Sequence, residues 1–352
     1  MSCQTNNKGG DDMKDSFKPQ RVLFAAALGL GVVGSVQAES TDIYGLVGLY
    51  MGSVKRSGET DSTQGMFGGG LKTSFIGFKG QEDLGNGMKV LFSLESFFRP
   101  NTGEQGRIPS DPLFSRNAWV GIEGGFGRVS LGRQTNPTYA VMTQLSPFGS
   151  SVVFSPLTVH SFVPAYGRNI HGDSVWNNAV KYATPKLGSF QGSMLYARND
   201  TGGGSAKTNA GLHGTYRSGK LMAAVSLQRA QINGTTPLAD TQRAWLAGAT
   251  YDFEVVKLYG TTVHTDIDGG TSTQLYDLGA SMPVSKSGKV LLETATTRIE
   301  PDSGSSSRRT TTSAGYDHQL SKRTDVFAIY SRDKKTDASA ANSFAVGIRH
   351  LF

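Results

Sequence analysis

The sequence predicts an all-β protein: a 16-stranded antiparallel β-barrel that spans a membrane and follows a cleaved signal peptide. Three observations carry this. From residue 39 onward, short segments alternate apolar and polar residues with a period of two. Between those segments, tight turns alternate with long polar loops. Outside the N-terminus there is no run of about 18 or more apolar residues, so no helical span is available.

The leading apolar run, residues 22–33 (VLFAAALGLGVV), has the length of a signal-peptide core. Lys14, Lys18 and Arg21 give it a basic lead, and Val36-Gln37-Ala38 closes it with a small-x-small cleavage pattern. The expected cut lies between Ala38 and Glu39. Residues 13–38 are thus read as the signal peptide, and residues 1–12, ahead of Met13, as an upstream-start extension. The lone cysteine, Cys3, falls in that extension, so the mature chain 39–352 needs neither disulfides nor thiolate metal sites. Residues 1–38 hold four bases and three acids, which leaves 31 bases against 25 acids, a net of +6. Spread along the chain without a basic block, this charge gives no nucleic-acid signature.

Residues 87–99 (GMKVLFSLESFFR) show the repeated unit. Val90, Phe92, Leu94 and Phe98 share one parity, and Lys89, Ser93, Glu95 and Arg99 the other, as in a strand with one greasy and one wet face. The same reading gives strands near 41–54, 71–81, 88–99, 113–123, 127–134, 175–184, 189–199 and 208–217. It continues through 220–230, 241–252, 253–264, 274–284, 288–299, 310–320, 324–334 and 342–352. Short turns such as 83–86, 124–126 and 218–219 belong to one rim; loops such as 55–70, 100–112, 265–273 and 300–309 belong to the other. A soluble sandwich has no reason to sort its loops this way. In hydrocarbon every backbone polar group needs a partner, which a closed barrel supplies, and its wet interior explains a mean hydropathy of −0.28 in a membrane protein. The chain ends on Phe344, Val346, Ile348 and Phe352 on one face, so Phe352 is expected to end the strand that closes on the first.

Several stretches resemble the general porins of Gram-negative bacteria, neisserial-type branch. Residues 74–87 (SFIGFKGQEDLGNG) are similar to that family's second strand and first turn. Residues 116–134, from Arg116-Asn117-Ala118-Trp119 to Leu131-Gly132-Arg133-Gln134, resemble its strand-turn-strand before the constriction loop. Residues 177–182 (NNAVKY) and the Gly347-Ile348-Arg349-His350 ending are similar too, so the likeness spans 41–352. The resemblance implies an outer-membrane homotrimer of water-filled channels, in contact with membrane lipid and lipopolysaccharide, with the third loop folded into each lumen. Relatives often carry arginine where Phe75 and Val175 stand here, so a strong arginine cluster at the narrow point is not expected.

Residues 134–177 form the longest connection, and connections of that size are usually functional. The segment carries Tyr139, Phe148, Phe154, Phe162, Tyr166 and Arg168, content that suits packing rather than a free surface loop, and it holds no acid between Arg133 and Asp173. Pore-lining parity falls to the bases Lys79, Lys89, Arg99, Lys181, Arg217 and Arg349 and to the acids Glu95, Asp277 and Glu293. Arg116 and Arg133 share parity with apolar neighbours and are expected at a rim or a subunit contact. Because rings of one charge set ion preference, the expectation is passive diffusion of ions and small hydrophilic solutes, weakly anion-preferring. A channel selective for sugars or organic anions, with loop aromatics as a greasy slide, is the alternative; an adhesin-like surface barrel is a more distant one. The six histidines are scattered and no HExxH, GxSxG or P-loop pattern occurs, so no enzyme, metal site or cofactor is expected.

Overall fold

The computed structural model describes residues 41–167, 169–199, 207–232 and 241–352. The expected leader, the Ala38–Glu39 cleavage point and Arg168 lie outside the described residues. Eighteen strands occur among those described: β1 (Asp42–Val54), β2 (Thr63–Gly68), β3 (Phe75–Gly85), β4 (Met88–Arg99), β5 (Glu104–Gln105), β6 (Asn117–Gly124) and β7 (Gly127–Thr135). After two short helices, α1 (Pro137–Met142) and α2 (Pro156–Phe162), come β8 (Val175–Ala183), β9 (Phe190–Asn199), β10 (Lys207–Ser218), β11 (Leu221–Gln231) and β12 (Thr241–Asp252). The last six are β13 (Lys257–Ile267), β14 (Ser272–Pro283), β15 (Gly288–Glu300), β16 (Ser307–Gln319), β17 (Thr324–Lys335) and β18 (Ala341–Leu351).

They build 16 staves, because two staves are broken. β2 and β3 pair with successive stretches of the same edge of β1, and β5 and β6 do the same along β4. Every pairing is antiparallel, and β18 closes on β1 from Ser53↔Phe344 to Leu46↔Leu351. Among the described residues the barrel is therefore closed stave to stave, with no open seam.

Side chains sort as lipid demands. On β18 Phe344, Val346 and Ile348 point out and are 47–62% exposed, while Ala341, Ser343 and Ala345 are buried inside. In water such an outside would be an aggregation hazard; in hydrocarbon it is the favourable surface. Among the described residues no helix is long and apolar enough to cross a membrane, and the chain crosses with strands. Tyr196, Tyr251 and Phe253 stand outward near strand ends and Tyr330 outward at mid-strand, whereas Tyr50 and Phe97 turn inward to pack within the lumen.

Several boundaries differ from the sequence reading, and three of the differences have a clear local reason. Gly69 and Gly70 take φ of +94° and +93°, which interrupts the stave expected over 71–81 and steps Leu71 and Lys72 into the lumen. Ser74 repairs the gap, accepting from Gly48 N at 2.9 Å and donating back to Gly48 O at 3.2 Å. The turn expected over 83–86 falls instead at Asn86-Gly87, where both residues have positive φ. Four residues, 253–256, separate β12 from β13, with Glu254 at φ +73°, where the sequence suggested none.

Candidate functional site

The connection between β7 and β8 folds into the barrel and docks on its inner wall. Its two helices start at caps that the sequence carries openly but the loop reading passed over. Asn136 Oδ1 accepts from Tyr139 N at 2.7 Å, Ser155 Oγ accepts from Thr158 N at 3.2 Å, and each cap is followed by proline at the first helical position.

The greasy face of this loop meets a greasy patch of wall. Val141, Met142, Leu145, Leu157, Phe162 and Ile170 pack on Met222, Ala224, Leu246, Val263 and Leu275 from β11 to β14. Phe148 and Phe154 pack on Tyr50, Leu71, Leu291, Phe327 and Ile329. Glycines make the approach possible. A Cβ on Gly248 would stand 2.7 Å from Leu145 Cδ1, and one on Gly279 would stand 2.7 Å from Pro147 Cδ.

Polar anchors then fix the loop's register. Glu293 accepts from Ser146 Oγ at 2.8 Å, from Ser155 Oγ at 3.2 Å and from Leu157 N at 3.3 Å. The His160 ring bridges Thr297 and Thr311, both at 2.8 Å. Burial, then the charge of Arg309, pushes the His160 imidazole down to about 3, so it sits neutral. At the neck, Asn136 Nδ2 donates to Asp173 O at 2.7 Å, and Arg107 from the preceding long loop donates to both carboxylate oxygens of Asp173 at 2.9 and 3.0 Å. Burial alone would raise the Asp173 carboxyl, but the bonds and charge of Arg107 outweigh it and hold that group below the usual carboxylate range.

What stays open lies between the free edge of the loop and the staves on the other side. Lys72, Arg116, Tyr139, Thr143 and Ser150 border one cavity of about 290 Å³. Lys72, Thr143, Ser150, Lys289, Asp317 and Arg349 border another of about 270 Å³. Three of these cations have acid partners. Arg116 pairs with Glu95, Arg349 with Asp325 at 2.8 Å, and Lys289 with Asp317 at 3.1 Å. Lys72 makes no ion pair or hydrogen bond among the described residues; its ammonium lies 5.7 Å from the Phe75 ring centre.

The residues singled out from sequence distribute as follows. Lys79, Glu95 and Arg349 face the lumen; Glu95 accepts from Tyr44 Oη at 2.6 Å and from Asn117 Nδ2. Lys89 stands by the short-turn rim, opposite Asp83 and Glu123, and Arg99 pairs with Glu104 at the long-loop rim, 3.1 Å away. Lys181 donates to Thr135 O at 3.3 Å, and Arg217 reaches Gln144 of the loop. Asp277 and Glu293, read from sequence as pore-lining, do not face open water: they lie buried at 1–2% exposure where the loop docks. Phe148, Phe154, Phe162 and Tyr166 are likewise buried against the wall rather than set out as a greasy slide; of the five described loop aromatics, Tyr139 borders the larger cavity and the edge of Phe148 the smaller. Phe352 exchanges backbone hydrogen bonds with Gly45 at 3.1 and 3.2 Å, extending the closing seam.

One arginine corrects its expected place: Arg116 precedes β6, so strand parity does not govern it, and it enters the lumen and stacks 4.2 Å over Phe75. Arg133, beside a bulge between Gly132 and Gln134 near the long-loop end of β7, donates from Nε to Ser115 O at 2.8 Å and bonds Asn177. Lys72 was missed because it falls in the break between staves, where a count of alternation carries no meaning. Nor are the histidines all isolated: Ser193 Oγ lies 3.2 Å from His213 Nδ1, with Lys181 as the charged neighbour and no carboxylate to orient the ring.

A closed barrel with a lipid-facing outside, a lumen narrowed by its own third loop and charged groups at the narrowing is a diffusion channel. Comparison with known proteins agrees. The family model described as Gram-negative porin matches residues 24–338. "Outer membrane porin protein 32" of Delftia acidovorans is 31% identical over 340 residues, covering 94% of this chain and 93% of its own. A Bordetella pertussis outer membrane porin protein is 29% identical over 400 residues, covering 95% of this chain and 100% of its own. The solved structure titled "Anion-selective porin from Comamonas acidovorans" superposes with a TM-score of 0.77 at 28% identity, covering 89% of this chain and 100% of that one. The chain belongs to the Gram-negative porins, and it forms a water-filled outer-membrane channel for passive diffusion.

Proposed function

We propose that this channel passes ions and small hydrophilic solutes with a weak preference for anions, assembles as a homotrimer and catalyses no reaction. The observation that carries the anion reading is Lys72: an unneutralised ammonium beside Arg116 and Arg349, across from a loop edge with no carboxylate between residues 137 and 172. Field at close quarters sets ion preference in a pore. The preference is weak because the neighbouring cations are already paired and because Phe75 and Val175, at the narrow zone, carry no charge. Lys79 and Lys181 add positive charge further along the wall. The relative whose title calls it anion-selective supports the same sign. The outward apolar band suits bilayer lipid and, in the outer leaflet, lipopolysaccharide. The reversal potential of the wild-type channel in a salt gradient tests the reading: it has the anion sign if Lys72 governs the narrow zone and the cation sign if Glu95, Asp317 and Asp325 do.

A further inference from the structure

Toward the short-turn rim, inward residues of β1, β3, β4, β6 and β7 border a cavity of about 550 Å³. That is within the usual range for sites that hold a small organic molecule. Its composition is uneven. Two cations stand directly over two aromatic rings: Lys79 Nζ lies 5.0 Å from the Tyr44 ring centre, and the Arg128 guanidinium lies 5.3 Å from that of Trp119. The Tyr44 ring is held by bonds from its hydroxyl to Glu95 at 2.6 Å and Ser93 at 3.3 Å.

The cations are held loosely by comparison. The nearest acid to Lys79 is Asp42 at 3.7 Å, and the nearest to Arg128 is Glu123 at 3.8 Å, both beyond hydrogen-bond distance. Each cation therefore keeps donors for an incoming anion. Arg128 presents a planar fork that takes a carboxylate through two parallel N–H bonds, and such a fork also stacks on aromatic faces. A carboxylate attached to a flat ring satisfies both halves of the pair at once. An aliphatic carboxylate of the same charge satisfies only the cation.

We propose that this cavity is a transit-binding site for planar aromatic carboxylates, with the carboxylate on Arg128 and the ring against Trp119. The proposal rests on the anion reading above and adds a solute class to it. The arrangement is on the channel wall, so binding there delays a passing solute and blocks small ions while it lasts.

The test is block of the chloride current through single channels by benzoate and by cyclohexanecarboxylate, which share carbon count and charge and differ in flatness and π-face. Benzoate should halve the current at a concentration about three- to tenfold lower, the worth of one aromatic contact. Trp119→Leu should remove the difference. If that variant fails to assemble, Arg128→Lys, which keeps charge but loses the planar fork, should narrow it. Equal block by the two acids in the wild type, or a difference that survives Trp119→Leu, overturns the proposal. The reversal potential in potassium chloride is read first on the same channels. A cation sign sinks the anion reading on its own, whereas an anion sign with equal block sinks only the aromatic site.

Discussion

At the scale of single residues, the chemistry of this channel is set by which polar groups the loop covers and which it leaves open. Glu293 and Asp277 carry charge that the sequence assigns to the pore, yet the loop turns Glu293 into an anchor and buries Asp277 beside it. His160 shows what that burial costs. Undocked, an imidazole takes a proton near 6.5; docked between Thr297 and Thr311 it does so near 3. Between those values the undocked loop binds a proton that the docked loop refuses, so docking is fully supported above about pH 6.5 and weakens as pH falls toward 3. Arg309 opposes the protonated ring further, and Asp333 favours it only in part. Single-channel recordings should therefore show more current noise at pH 4.5 than at pH 7.5, and His160→Gln should blunt the difference. Equal noise at both pH values in the wild type would show that His160 does not govern docking. Parity in the sequence could say that Glu293, Lys79 and Arg349 point inward. It could not say which inward groups stay wet, because that depends on where a segment more than a hundred residues away comes to rest.

At the scale of elements, the staves were legible because lipid outside and water inside impose a strict period of two on the sequence. The loop was legible as a packed segment from its prolines and aromatics. Its seat was not. Nothing in the alternation marks Gly248 and Gly279 apart from the other strand glycines, and the structure shows them as the hollows that receive Leu145 and Pro147. The broken second stave and the bulge before Gln134 escaped for a related reason: alternation counted through an interruption loses its meaning, as it did for Arg116. The fit at Gly279 makes a direct prediction. Gly279→Val should push Pro147 away, weaken docking by about 1–3 kcal/mol, and give a noisier channel of altered conductance. Gly260→Val is the control, since a Cβ there meets nothing nearer than Leu278 at 3.8 Å. Identical conductance and noise in the two variants would mean that this contact does not hold the loop.

At the scale of the whole molecule, closure makes the barrel possible and charge at its narrowing makes it selective. Closure depends on the seam between β1 and β18, where Phe352 pairs its backbone with Gly45 and lays its ring in the space that glycine leaves. Phe352→Asp puts a charge at the lipid-facing rim of that seam and should lower the yield of folded, heat-modifiable barrel several-fold; wild-type yield would place the determinant of assembly elsewhere. Selectivity is the central claim, and it turns on one ammonium. The measurement that tests it most directly is the reversal potential across a bilayer holding the purified channel in a potassium chloride gradient, for the wild type and for Lys72→Glu. At 0.15 M salt, screening over about 8 Å leaves only a small potential of anion sign in the wild type, growing as ionic strength falls. Lys72→Glu should move it to the cation side. A wild-type channel that prefers cations, or a Lys72→Glu channel that keeps the wild-type potential at low salt, would contradict the account.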